Sequence, residues 1–176
     1  MRCRGKTALL VYVAITVSGV LLGCTKSEGT TPPSPLPAAT RTSIDEAVSA
    51  YEDIRKALAQ NRSNVRSEAL ALAGAAQAAA GSAPEKLRPS LEDLSASAQR
   101  LGAMQSDDLA EARRAFGETS RALIALLSSE PSLQPGRHVY ECPMAKGYNK
   151  WVQLDETTSN PYMGSEMPEC GAKAGF

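Results

Sequence analysis

Sulfur gathers near one end of this sequence. Cys142 and Met144 flank a proline, and Met163, Met167 and Cys170 follow before the chain closes at Phe176. Thiolate and thioether together are the soft ligand set that selects Cu(I) over harder ions. Side chains two apart on an extended chain point the same way, and Pro143 keeps the chain extended. Cys142 and Met144 can therefore converge on one ion. Met163, Met167 and Cys170 stand at i, i+4 and i+7, although Pro168 breaks a regular helix through them. A two- or three-coordinate Cu(I) or Ag(I) site needs only Cys142, Cys170 and one methionine, with His138 as a further ligand. Zinc fits less well, because His138, Cys142 and Cys170 lack an evident fourth partner. The same two cysteines can instead form a disulfide, which for a loop of this length stabilises by roughly 3–4 kcal/mol. The methionines then become ordinary core filler. Spacing leaves both readings open.

Which chemistry the cysteines meet depends on where the chain resides. Arg2, Arg4 and Lys6 precede an uncharged apolar run, Thr7 to Val20, shorter than the roughly 20 residues of a spanning helix. The run ends in Leu21-Leu22-Gly23-Cys24. This is a secretory signal pattern, and it resembles a bacterial lipobox. The resemblance implies cleavage before Cys24, lipidation of that residue, and a membrane anchor. Thr25 follows, with no Asp there to imply inner-membrane retention, so the expected site is the periplasmic face of the outer membrane. Removing residues 1–23 takes three of the 19 basic residues and none of the 19 acidic ones, leaving a net charge of −3. Nothing forms a basic footprint for nucleic acid. Cys3 leaves with the signal, and the periplasm is oxidising, which favours a disulfide.

The elements that position the sulfur segment are read next. Residues 24–41 hold the lipidated cysteine and a Pro-rich tether that stands off the membrane. Residues 42–131 read as four amphipathic helices. Ser43 with Glu46 makes a capping box for the first, whose face is Ile44, Ala47, Val48, Tyr51, Ile54 and Leu58. Asn61 or Ser63 caps the second, which carries Val65, Ala69, Leu72, Ala76 and Ala79 and ends at Gly81. The third presents Leu87, Leu91, Leu94, Ala98 and Leu101, with Pro84 or Pro89 in its first turn. Ser106-Asp107-Asp108 opens the fourth, Leu109, Ala112, Phe116, Leu123 and Leu127 line it, and Ser128 to Pro131 stops it. The expectation is an all-α chain: an antiparallel up-down four-helix bundle with an irregular Cys/Met-rich extension, residues 132–176, packed on it. Within that extension a short hairpin is expected around His138–Tyr140 and Trp151–Leu154.

Cys142-Pro-Met144, Trp151, and then Asn160-Pro-Tyr162-x-Gly164-x-x-Met167-x-x-Cys170-Gly171 resemble the conserved end of a bacterial domain-of-unknown-function family. Members are similar in layout, a helical region and then this tail. They occur as free-standing exported proteins and fused to the C-termini of periplasmic adaptors of heavy-metal (copper/silver) efflux pumps. The resemblance spans about residues 44–171. It implies metal handling by context, with Cys142, Met144, Met167 and Cys170 at the motif positions and Met163 ranked below them. Trp151, Asn160, Pro161, Tyr162 and Gly164 read as structural. This chain departs from the family at Ala145-Lys146-Gly147-Tyr148, where a Phe or an acidic-rich stretch is usual.

Two functions are expected from these features. One is a lipid-anchored protein that binds or hands over Cu(I) or Ag(I), with a heavy-metal efflux adaptor or a periplasmic metal chaperone as partner. The other is a non-metal interaction module stapled by a Cys142–Cys170 disulfide and docking to an envelope or efflux partner. An enzyme is not expected. The chain has one histidine, no Ser/His/Asp set and no Gly-rich phosphate loop.

Overall fold

The computed structural model describes residues 35–105 and 107–176. The signal, Cys24, most of the tether and Ser106 lie outside the described residues. Four helices are present: α1 (Ala38–Ala59), α2 (Arg66–Ser82), α3 (Arg88–Gly102) and α4 (Leu109–Ser129). Each lies where the apolar spacing put it, but the ends differ. α1 begins at Ala38, inside the residues assigned to the tether, and Ser43 and Glu46 do not cap it. Leu36 and Thr40 explain the early start. Leu36 is buried, and Thr40 donates through Oγ1 to the Ser82 carbonyl at 2.8 Å. Tertiary contacts thus extend the helix past the local capping signal. Val65 rather than Asn61 or Ser63 stands at the N-cap of α2, and α2 runs through Gly81 to Ser82. Pro89 sits in the first turn of α3. Asp108 caps α4, its Oδ1 accepting from the Ala110 N–H at 2.8 Å, which satisfies an amide with no partner within the helix.

The helices run up and down. Thr40 at the start of α1 meets Ser82 at the end of α2. Lys86, just before α3, pairs with Glu130, just after α4, at 2.9 Å. Asp45 near the start of α1 meets Arg137 beyond α4. The alanine face of α2 (Ala69, Ala73, Ala76, Ala79 and Ala80) is buried, and small side chains let α1 and α3 pack closely against it. α1 and α4 approach each other far less closely, meeting chiefly where Tyr51 stacks on Phe116 and bonds Ser120. Apart from that meeting point, the ring of helices is loosely closed along this seam.

The expectation of an all-α chain is overturned by what covers the seam. Strands β1 (His138–Glu141), β2 (Lys150–Gln153) and β3 (Ala172–Ala174) form an antiparallel sheet in the order β2-β1-β3. The hairpin pairs Tyr140 with Trp151 and Val139 with Val152, within the residues expected for it. β3 adds to the other edge of β1, pairing Tyr140 with Lys173. Prolines exclude long helices from the tail, and its backbone amides find partners in a short sheet instead. Three residues of Ala-Lys-Ala carry no strand signal of their own. β3 exists because its neighbours hold it.

Sheet and bundle share one core. Ring centroids follow one another from Tyr140 to Trp151 at 5.7 Å, Trp151 to Tyr162 at 6.0 Å, Tyr162 to Phe116 at 5.8 Å, and Phe116 to Tyr51 at 5.0 Å. The tail aromatics therefore continue those of α1 and α4, and residues 35–176 belong to one compact unit. Buried polar groups at the seam are paired. The Val152 N–H donates to Tyr51 Oη at 3.2 Å, and Tyr51 also bonds Ser120 Oγ at 2.7 Å. Arg55, almost fully buried, forks onto Glu52 and donates to the Ser159 carbonyl at 2.7 Å. Arg113 on α4 donates to the Pro161 carbonyl at 2.9 Å. Among the described residues no helix is long and apolar enough to cross a membrane.

Candidate functional site

The motif residues earn their places through backbone geometry. Trp151 is fully buried, and its Nε1–H donates to Gln153 Oε1 at 2.9 Å. Gln153, also fully buried, donates to the Asp155 and Thr157 carbonyls and ties down the loop that follows β2. Asn160 is the hub of the next turn. Its Oδ1 accepts from the Tyr162 and Met163 amides, and its Nδ2 donates to the Cys170 carbonyl at 2.5 Å. An asparagine suits this place because one side chain supplies an acceptor for two amides and a donor for a carbonyl. Gly164 has φ +57°, and a Cβ there would strike Asn61 and Arg113. Gly171 is required by contact alone: a Cβ would stand 2.6 Å from Trp151 Cη2. Of the five residues read as structural, Trp151, Asn160 and Gly164 owe their places to these contacts, the Pro161 carbonyl accepts from Arg113, and the Tyr162 hydroxyl donates to the Lys150 carbonyl.

Within this frame Cys142 and Cys170 are bonded to one another, with Cα atoms 5.7 Å apart. The bridge clips the end of β1 to the residues that lead into β3. Cys142 is fully buried, and its N–H extends the hairpin by donating to the Asn149 carbonyl at 3.0 Å.

The remaining sulfur and nitrogen candidates do not meet as one set. Met144 is 60 % exposed and Met167 is 40 % exposed. Met144 and Met163 line a common groove, and Met167 lies outside it. His138 stands at the other end of β1 from Cys142, about 13 Å of extended strand away, with Nε2 3.9 Å from Glu156 Oε1. Among the described residues no group of three or more His, Cys, Asp or Glu could hold a metal ion. A disulfide sulfur is not a thiolate, and the thiolate is the metal ligand. The donor set expected for Cu(I) or Ag(I) therefore does not fit the bridged form.

The groove that holds Met144 and Met163 was not legible beforehand. It has a volume of about 570 Å³ and lies between α4, the turn after β1 and the turn after Asn160. Tyr162, Met163 and Ala145 give it an apolar floor, and Arg113, Arg114 and Lys146 stand around it with one acid, Glu166. Arg113 is fixed by neutral acceptors, the carbonyls of Pro161 and Leu58 and Oδ1 of Asn61. Partial burial lowers its pKa from the ordinary arginine value, and Glu166 pulls it back up. Arg114 has only a loose pairing with Glu111, at 3.9 Å. Burial raises the Tyr162 pKa well above the ordinary tyrosine value, and its hydroxyl donates to the Lys150 carbonyl at 2.7 Å. Arg114 is exposed and Arg113 half-buried on α4, where charged residues normally signify only a solvated surface. No signal in the sequence joined them to Lys146, which lies more than thirty residues later. No protein-family model, curated protein or solved structure matches the chain.

Proposed function

We propose that this chain is a non-catalytic, envelope-tethered interaction module. Its disulfide-stapled tail presents a docking surface to a partner in soft-metal export. The observation that carries the proposal is the condition of the two cysteines: they are bonded to each other, and Cys142 has no exposed surface. The strongest ligands of the expected ion site thereby serve as a staple that shapes the surface around them. The context of metal export rests on the resemblance of the Cys-Pro-Met and Asn-Pro-Tyr segments to the tails of efflux adaptors, and the anchor rests on the lipobox-like residues before Cys24.

A second reading keeps the protein as a carrier of Cu(I) or Ag(I). Its support is that Met144 and Met163 share a groove and that Met144 lies two residues from Cys142. Reduction of the bridge would give that pair a neighbouring thiolate.

One experiment separates the two. Thiols are counted on protein taken directly from the host envelope, and the same preparation is titrated anaerobically with Cu(I) against a chelator, before and after reduction. The interaction module predicts no free thiols and no competition by the native protein. Free native thiols and one-to-one binding, lost in Cys142→Ser and weakened in Met144→Ala, would establish the carrier and remove the staple.

A further inference from the structure

We infer that the groove between α4 and the stapled turn is the docking site itself, and that its occupant is an acidic peptide segment bearing an apolar anchor. The inference rests on the interaction-module reading and names the partner's chemistry.

Charge supplies the first argument. Arg113, Arg114 and Lys146 line the groove with one acid, Glu166, and Glu111 sits 3.9 Å from Arg114, so positive charge still exceeds negative there on a mature chain whose expected net charge is −3. The neutral acceptors around Arg113 fix its geometry without cancelling its charge. Arg114 is held only loosely by Glu111, and Lys146 makes no ion pair among the described residues. Such a ring attracts carboxylates and disfavours basic partners.

The floor supplies the second argument. Tyr162, Met163 and Ala145, with exposed Met144 beside them, form an adaptable apolar surface, and unbranched methionine accepts side chains of differing shape. One leucine- or methionine-sized anchor would cover Met144, whose 60 % exposure is a large apolar surface left open to water.

Openness decides the class of occupant. Small-molecule sites bury some 70–90 % of their ligand. Here Met144, Lys146 and Arg114 are all exposed, so the groove covers its occupant on one side only. A chain passing over the surface fits that geometry better than an engulfed molecule. The disulfide enters through position: Cys142 fixes the start of the turn that carries Met144 and Lys146, and Asn160, which bonds the Cys170 carbonyl, fixes the turn that carries Met163 and Glu166. Both walls hang from one bridge.

The test uses the oxidised intact chain and a fluorescein-labelled eight-residue peptide with four carboxylates and two leucines, read by anisotropy. A lysine-for-carboxylate peptide and a serine-for-leucine peptide serve as controls, and vesicles of anionic phosphatidylglycerol serve as a rival partner. The expected result is saturable binding of the acidic peptide, weakened about 10-fold or more in Arg114→Glu/Lys146→Glu and weakened by raised salt. Binding of both control peptides should be at least several-fold poorer. Both substituted residues are exposed, so an unchanged urea midpoint will show that the variant folds. No saturable binding, equal affinity in the variant, or equal binding of the lysine peptide would overturn the inference. Charge-dependent capture of the vesicles without peptide binding would also overturn it, in favour of a membrane surface. None of these results touches the thiol count, so failure here removes the groove and leaves the stapled module standing.

Discussion

Reducing the Cys142–Cys170 bridge without changing any residue should cost the protein a large share of its stability. The bond closes a loop with a sequence separation of 28. The loop-closure entropy removed from the unfolded chain then gives about 3.6 kcal/mol at 25 °C, a factor of about 400 in the folding equilibrium. Comparing the oxidised and reduced wild type keeps every packed atom, so no cavity enters the comparison. Urea unfolding reads the effect with two probes. Trp151, the single tryptophan and fully buried, reports on the tail, and circular dichroism at the helical band reports on the bundle. With a urea dependence of about 2 kcal/mol per molar, the midpoint should fall by nearly 2 M on reduction. The slope should rise slightly, because an uncrosslinked unfolded chain exposes more surface. Both probes should move together in the oxidised protein, since the aromatic column joins tail to bundle. A midpoint shift below about 0.5 M would refute the reasoning, because it would mean that the bridge restricts the unfolded chain little or strains the fold.

Three further outcomes are expected. Arg55→Met should destabilise by about 3 kcal/mol in urea or thermal unfolding, because it strands the buried Glu52 carboxylate and the Ser159 carbonyl; a loss below 1 kcal/mol would show that Lys56, 3.6 Å from Glu52, suffices as partner. Gly171→Ala should cost about 1–3 kcal/mol and shift the Trp151 emission, whereas Gly175→Ala, with open space around it, should stay within about 0.5 kcal/mol; equal effects would remove the close approach to Trp151 as the cause. Burial raises the pKa of Tyr51 and Tyr162 in the folded state, so the unfolded chain gives up these protons first, near pH 10. The stability from these groups is fully present below about pH 10 and is lost as pH rises above it; a urea midpoint unchanged up to about pH 11 would contradict this.

The bundle was legible in the sequence because its signal is long. Each helix repeats an apolar spacing over four or more turns, and no single error of capping can erase that. Ser43 and Glu46 had the right chemistry for a cap, yet Leu36 and Thr40 carried α1 past them through contacts with residues some forty or more positions away, which local pattern cannot show. The hairpin was visible because Val139, Tyr140, Trp151 and Val152 are strand formers bracketed by breakers. β3 was not, since its alanines and lysine take their conformation from β1. The sulfur residues were found by type, but type does not decide between ligand and staple: the fold brought Cys142 to Cys170, left Met167 outside the groove and put His138 at the far end of a strand. The groove itself escaped because its cations come from α4 and from a turn that meet only through the tertiary fold.

The loosely closed seam also sets an order of events. Helix neighbours meet across short loops, whereas Val152 reaches Tyr51 across 101 positions and Ser159 reaches Arg55 across 104. Local contacts form early and distant ones late. During synthesis the four helices are complete before the residues that cover the seam between α1 and α4 have been made. For that interval Tyr51 and Phe116 lack the cover that Val152 and Tyr162 give them, and any copy of the tail, including a neighbour's, offers the groups that fit them. Exchange of tails between two molecules is therefore the misassembly to which this architecture is most open, and crowding of nascent chains favours it. An intrachain bridge formed promptly between Cys142 and Cys170 ends the interval by committing each tail to its own helices.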